Sequence, residues 1–394
     1  MPVIRLINFA RSADSALVHW KPTLRAARSC CCGLIIAAAL AGCANPQDKP
    51  AVLEAVLQSR EQIWNALARF DGQTYLAGPR WTGTQGPQLT VVDTQGRRAA
   101  FPDAAWNAWA PGKDARQAFV NINALRLEKS VLWVVDTGAA EFAGNPIPGG
   151  AKLVAFDLVE KRVVRSYPLP AEIARPGSYI DDVRFQGGYA FLTDAGNAGI
   201  VVLDLQTGNA RRVLDGHPAV SAGNDRDIVL SGQQVKAPGG APLRVNADPL
   251  EVSLDGQWLY FGPLQGPWSK VRIHDLIAPQ LTPEQLARRV EPFADLPPTG
   301  GTVMDSEGNL FFSDLAHDAI RVRRPDGRID TLIVDQRLHW VDAPFLDAHG
   351  TLWLPAAQMD RVSLFNDGVE RIQWPITIFR LPTRQAALAE PETR

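Results

Sequence analysis

Short apolar runs recur along the whole chain, most of them bounded by glycine, proline or aspartate. Leu132-Trp133-Val134-Val135-Asp136-Thr137-Gly138 is the fullest. Residues 190–196 repeat it closely, 310–314 repeat its core, and 74–78, 258–262 and 351–355 are looser copies. Each is too short for a helix and rich in aromatic and branched residues, the composition of strands. The central residues Leu76, Val134, Leu192, Tyr260, Phe312 and Leu354 lie 58, 58, 68, 52 and 42 residues apart. Such spacing in strand-forming segments predicts propeller blades rather than a helical solenoid.

Each copy has the same neighbours. An inner strand is predicted before it, at 123–127, 182–185, 248–253, 302–304 and 342–346. After it, 88–93, 152–157, 199–204, 270–275 and 319–324 alternate apolar and polar residues as half-buried strands do. Thr207-Gly208, Asp326-Gly327 and Asp367-Gly368 supply hairpin turns. Four strands in each of six units predict an all-β, six-bladed β-propeller over 61–384, with a tail at 385–394. Two loops do not repeat, at 215–246 and about 278–298, and Thr282-Pro283 marks a short helix start in the second. Ahead of the blades, Val52, Val56, Ile63 and Leu67 among Glu54, Arg60 and Glu61 predict a short N-terminal amphipathic helix within 51–70.

Composition narrows the setting. All four cysteines precede residue 44, so the body carries neither disulfides nor thiolate metal sites. Arg25 and Arg28 precede an apolar stretch at 30–41 that ends in Leu40-Ala41-Gly42-Cys43. That apolar stretch is too short to span a bilayer, and the whole reads as an export signal over 1–42 followed by a tether within 43–60. Leu-Ala-Gly-Cys also resembles a bacterial lipobox. That resemblance implies lipidation of Cys43 and a place in the cell envelope, by default the outer membrane facing the periplasm, with membrane contact through the anchor alone. Without residues 1–42 the chain holds 35 basic and 41 acidic residues, a balance that argues against nucleic acid as a partner.

Several motifs in series resemble the major royal jelly/Yellow family. They are Ala77-Gly78-Pro79-Arg80-Trp81, residues 101–107, 132–138 and 152–158, Ile180-Asp181-Asp182-Val183, Leu259-Tyr260-Phe261 and Trp340-Val341-Asp342. The resemblance covers about 62–381 and implies a six-bladed propeller related in fold to regucalcin and gluconolactonases. The functions it implies are divided among pigment-pathway proteins, dopachrome-converting enzymes, amine binders and nutritive proteins.

Inner strands of a propeller begin around the central channel, which places Asn123, Asp181, Asp182, Asn246, Asp248, Thr302 and Asp342 at one mouth. Asp136, Asp194 and Asp314 recur in one phase, as structural turn residues should. Converging carboxylates suit a hard divalent cation, Ca²⁺ or Mg²⁺, at Asp248 and Asp181, or an amine. A regucalcin-like site would also need a first-blade glutamate, which has no counterpart near Arg80, and this weakens lactonase chemistry. Serine-nucleophile, zinc-protease, phosphate-loop and dinucleotide motifs are absent. For proton transfer the available set is Asp182, Asp248 and His339. Trp106 and Trp109 are candidates to line a pocket for an aromatic ligand, and Arg80 and Trp81 are candidates to reach the mouth or, alternatively, for cation–π packing within the blade. The expectation is a small polar or aromatic molecule bound at the mouth. The alternatives are a dopachrome-type tautomerase, a metal-dependent lactonase, or an interaction scaffold using the 215–246 loop.

Overall fold

A computed structural model of the protein describes residues 52–383; the expected export signal over 1–42, Cys43 and the 385–394 tail lie outside the described residues. Six four-stranded antiparallel sheets stand around a central channel. The repeated phrase is the second strand of every blade: Gln73–Ala77, Val131–Asp136, Tyr189–Asp194, Trp258–Pro263, Leu310–Asp314 and Thr351–Ala356. Five of its six central residues are buried between sheets, Val134 and Leu192 at 0% exposure, and Tyr260 is partly buried. The innermost strands are Ala66–Phe70, Ile122–Glu128, Ile180–Gln186, Ala247–Val252, Thr299–Met304 and Phe345–Leu346. Pro283–Ala287 forms the helix expected in the second loop, with Thr282 and Gln285 completing a capping box.

The amphipathic helix expected within 51–70 is not formed. Glu54–Ser59 is instead a strand, paired antiparallel with Ile376–Pro382 as the outermost strand of the sixth blade. Ala66–Phe70 is the innermost strand of the first. Left alone, the last blade would have three strands and an open edge; the N-terminal segment covers that edge and joins the two ends of the ring. Tertiary pairing therefore overrides the helical spacing of Val52 and Val56, and the propeller begins at Glu54. A smaller departure occurs in the fourth blade, where the third strand stops at Arg272 and Ile273–Ile277 turns into a helix.

The aspartates at the ends of the second strands act as clamps. Asp136 accepts hydrogen bonds from the backbone N–H groups of Val120 (2.8 Å) and Asn121 (2.9 Å) and pairs with fully buried Lys152 at 2.7 Å. Asp194 holds the Tyr179 N–H at 2.8 Å and pairs with Arg212 at 2.7 Å. Asp314 pairs with Arg321 at 2.7 Å. Asp136 and Asp194 tie the segment entering an inner strand to its own blade, and Asp314 pairs across to the third strand of its blade, a structural role in each case.

Those inner strands share an irregularity that builds the site. Pairing breaks between Ile122 and Ala124, Ile180 and Val183, Ala247 and Leu250, and Thr299 and Thr302. The residues skipped are Asn123, Asp181-Asp182, Asp248-Pro249 and Gly300-Gly301. A bulge frees a residue from the ladder and re-aims its side chain. In the second, third and fourth blades it delivers polar groups to the channel; in the fifth, glycine delivers none. There the sixth blade comes too close, since a Cβ on Gly300 would stand 2.4 Å from the Val341 carbonyl and one on Gly301 2.5 Å from that of Asp342.

Candidate functional site

A cavity of about 380 Å³ opens where the inner strands begin, within the usual size of small-molecule pockets. Its floor carries Asn123, Asp181, Asp248 and Asp342, and aromatic side chains wall it: Trp81, Phe142, Tyr179, Trp340 and Phe365. Trp81, Phe142 and Phe365 pack edge-to-face on one another, with centroids 5.1–5.7 Å apart. Two wall residues, Ala143 and Trp340, have left-handed backbone (φ +55° and +49°), strain of the kind that collects at functional sites.

A chain of hydrogen bonds orders one side of the floor. The Trp81 indole N–H donates to the Tyr179 hydroxyl at 2.9 Å, and that hydroxyl donates to Asn123 Oδ1 at 2.9 Å. The Asn123 amide then donates to Asp181 Oδ1. Asp342 accepts a longer bond from the Trp340 indole, at 3.3 Å. The Asp248 carboxylate accepts no hydrogen bond from any described residue, although its backbone carbonyl holds the Thr193 hydroxyl at 2.7 Å. Burial, and then the neighbouring carboxylates, push Asp181 and Asp248 well above the ordinary carboxylate range. Asp342 rises to about 8, mainly through burial, against the hydrogen bond from Trp340. Burial likewise lifts the Tyr179 phenol well above its usual value and keeps it neutral.

Beneath this floor the channel is closed by charge. Arg184 reaches across it to Asp182 (2.7 Å), Glu251 (2.9 Å) and the Thr302 carbonyl (2.9 Å), joining three blades. A void of about 10 Å³, the size of one water molecule, lies between floor and plug.

The structure thus brings Asn123, Asp181, Asp248 and Asp342 together at the mouth, and separates several other expected site residues from it. Asp182 faces the plug and is held by Arg184. Thr302 also belongs to the plug, its hydroxyl donating to the Leu250 carbonyl at 3.2 Å. Asn246 lines the cavity, but its side chain is spent on the Ala195 and Gly196 carbonyls and the Ala222 N–H. Trp106 packs on Phe119 and Phe156 in the blade core. The Arg80 guanidinium lies over Trp109 (5.3 Å), not over Trp81. Among the described residues no three His, Cys, Asp or Glu side chains are grouped to hold a metal ion.

His339 is a further correction. It precedes Trp340 but points away from the cavity, with Nδ1 2.8 Å from Asp318 and Nε2 2.9 Å from Asp360. Carboxylates at both ring nitrogens require an imidazolium. Burial pulls its pKa down, but the hydrogen bonds of Asp318 and Asp360 outweigh burial and lift it to about 9. A raised folded-state value means stability fully present below the unfolded pKa of roughly 6.5 and lost as pH climbs through 9. The urea midpoint of the wild type should accordingly fall between about pH 7 and pH 9.5, and more steeply than that of His339→Gln. Parallel pH profiles for the two proteins would refute this clamp.

The molecule is therefore a six-bladed propeller whose blocked channel carries an aromatic, acid-floored mouth. It belongs to the major royal jelly protein family, whose model matches residues 128–382. Curated protein sequences provide no match. The fold is similar to that of a calcium-binding regucalcin from Agrobacterium tumefaciens, at 15% identity and TM-score 0.51, covering 84% of this chain and 94% of that one. A Bacteroides thetaiotaomicron protein of unknown function is similar at 11% identity and TM-score 0.52, over 85% of this chain and 73% of that one. A gluconolactonase from Xanthomonas campestris aligns at 13% identity and TM-score 0.48, over 84% and 89%. Tyr179, Phe142, Phe365 and Arg244 were not singled out by sequence pattern; Phe142, Phe365 and Arg244 stand in loops that do not repeat.

Proposed function

We propose that the protein binds a small aromatic cation in the mouth of its propeller. One observation carries this reading: Asp181, Asp248 and Asp342 converge in an aromatic-walled cavity, and none of the three forms an ion pair with a described residue. Elsewhere in the interior, Asp136, Asp182, Asp194 and Glu251 each have a basic partner. A cationic head would supply the missing counter-charge, and indole and phenyl faces would favour both the cation and an aromatic body. Binding is preferred over the tautomerase reading because Asp182 and His339 are engaged elsewhere. It is preferred over the lactonase reading because, among the described residues, no three His, Cys, Asp or Glu side chains are grouped as metal ligands.

Calorimetric titration with phenethylamine and with indole and catechol amines should show saturable heat. Trp81→Ala, which also removes the hydrogen bond that the Tyr179 hydroxyl accepts, should weaken binding roughly tenfold or more. Absence of heat with every such amine, in protein with native circular dichroism, would sink the reading.

A further inference from the structure

The mouth has a second pole. Arg244, Asn246 and Asp248 are alternate residues of the segment that runs into the fourth blade's inner strand, and all three line the cavity. Together they place a basic group, an amide and a carboxylate along one stretch of chain that leads to the floor. Among the described residues lining the cavity, Arg244 is the one basic side chain. Its guanidinium is held by partners on the 215–246 loop, Asp227 (2.6 Å) and the Asn224 carbonyl (3.5 Å), with a further bond to its own Leu243 carbonyl (3.3 Å). Its Nε–H has no partner among the described residues. Asp227 is 39% exposed, so this is a solvent-screened pair that leaves the guanidinium open to a second anion. Asp248 lies four residue steps beyond Arg244, at most roughly 14 Å between α-carbons. Aromatic side chains line the same cavity.

We propose that Arg244 selects ligands bearing an anionic group at the end opposite their cation. This rests on the aromatic-cation reading above and narrows it to a bipolar class: ammonium toward the floor aspartates, aromatic body between the walls, carboxylate or similar anion at the rim. A guanidinium fork matches a carboxylate in shape as well as charge. An α-amino acid does not qualify, because its ammonium and carboxylate share one carbon and cannot reach both ends.

The test compares phenethylamine, para-(aminoethyl)benzoate and phenylalanine by titration into the wild type, Arg244→Gln and Arg244→Lys. The readout is the ratio of affinities within each protein, which is insensitive to the fraction folded. The wild type should prefer the benzoate over phenethylamine by roughly tenfold, as expected for a charge-assisted pair, and should give phenylalanine no such advantage. Arg244→Gln should erase the preference and Arg244→Lys should retain part of it. If phenethylamine binds but the benzoate gains nothing, or if the preference survives Arg244→Gln, this inference falls and the aromatic-cation reading stands. If neither probe binds the wild type, both fall.

Discussion

Arg184→Ala should cost the propeller about 3–5 kcal/mol, seen as a lower urea midpoint with an unchanged slope. Arg184 is 3% exposed, and its guanidinium bonds Asp182, Glu251 and the carbonyls of Val183 and Thr302. Burial works against its charge, but the two carboxylates outweigh burial and raise its pKa. Alanine would leave Asp182 and Glu251 with no counter-charge inside the channel. Glu251 has little to fall back on, since its Oε2 already lacks a hydrogen-bond partner among the described residues. Breaking one member of a buried ionic group is costly because the remaining charges stay buried; neutralising the whole group is often nearly free. The triple variant Asp182→Asn, Arg184→Met, Glu251→Gln should therefore be more stable than Arg184→Ala alone. A cost below about 1 kcal/mol for Arg184→Ala would show that the plug does not tie the blades together.

This plug also marks the limit of what sequence pattern could reveal. The blades were readable because apolar alternation and the repeated Val134-like core are local signals. The convergence of Asn123, Asp181, Asp248 and Asp342 was readable because the start of every inner strand meets one channel. Asp181 and Asp182 are adjacent, yet one faces the mouth and the other Arg184. A bulge decides between them, and bulges leave no period. The same holds for His339 and Trp340, which lie on opposite sides of a wall that turns at the left-handed Trp340. Trp106 looked available for a ligand because it stands in a loop, but that loop folds back onto Phe119 and Phe156. The segment at 54–59 has helical spacing, and its strand partner at 376–382 lies at the far end of the chain. Phe142, Phe365 and Arg244 come from stretches with no repeat, so only the fold assembles them with the floor.

Affinity for a fixed-charge aromatic cation should rise with pH, by roughly tenfold per unit between about pH 6 and pH 8 if one proton leaves per ligand bound. Asp342 titrates near 8 and its neighbours Asp181 and Asp248 well above the usual carboxylate range, so at neutral pH the floor holds protons. A cation favours the ionised form, and proton release must then accompany binding. Benzyltrimethylammonium is the appropriate probe because its own charge does not titrate and quaternary ammonium groups suit aromatic walls. Titration in two buffers of different ionisation enthalpy counts the protons released directly. The same acids bear on stability in the opposite sense. Because the Asp342 value is raised in the folded state, its contribution is present at low pH and is lost as pH rises toward 8. The cation should restore that loss, so ligand-induced stabilisation should grow with pH. Asp342→Asn removes the group that titrates in this window; it should flatten the affinity profile and lower affinity at about pH 9 by tenfold or more. An affinity independent of pH, with no protons released in either buffer, would mean that the floor acids do not meet the cation.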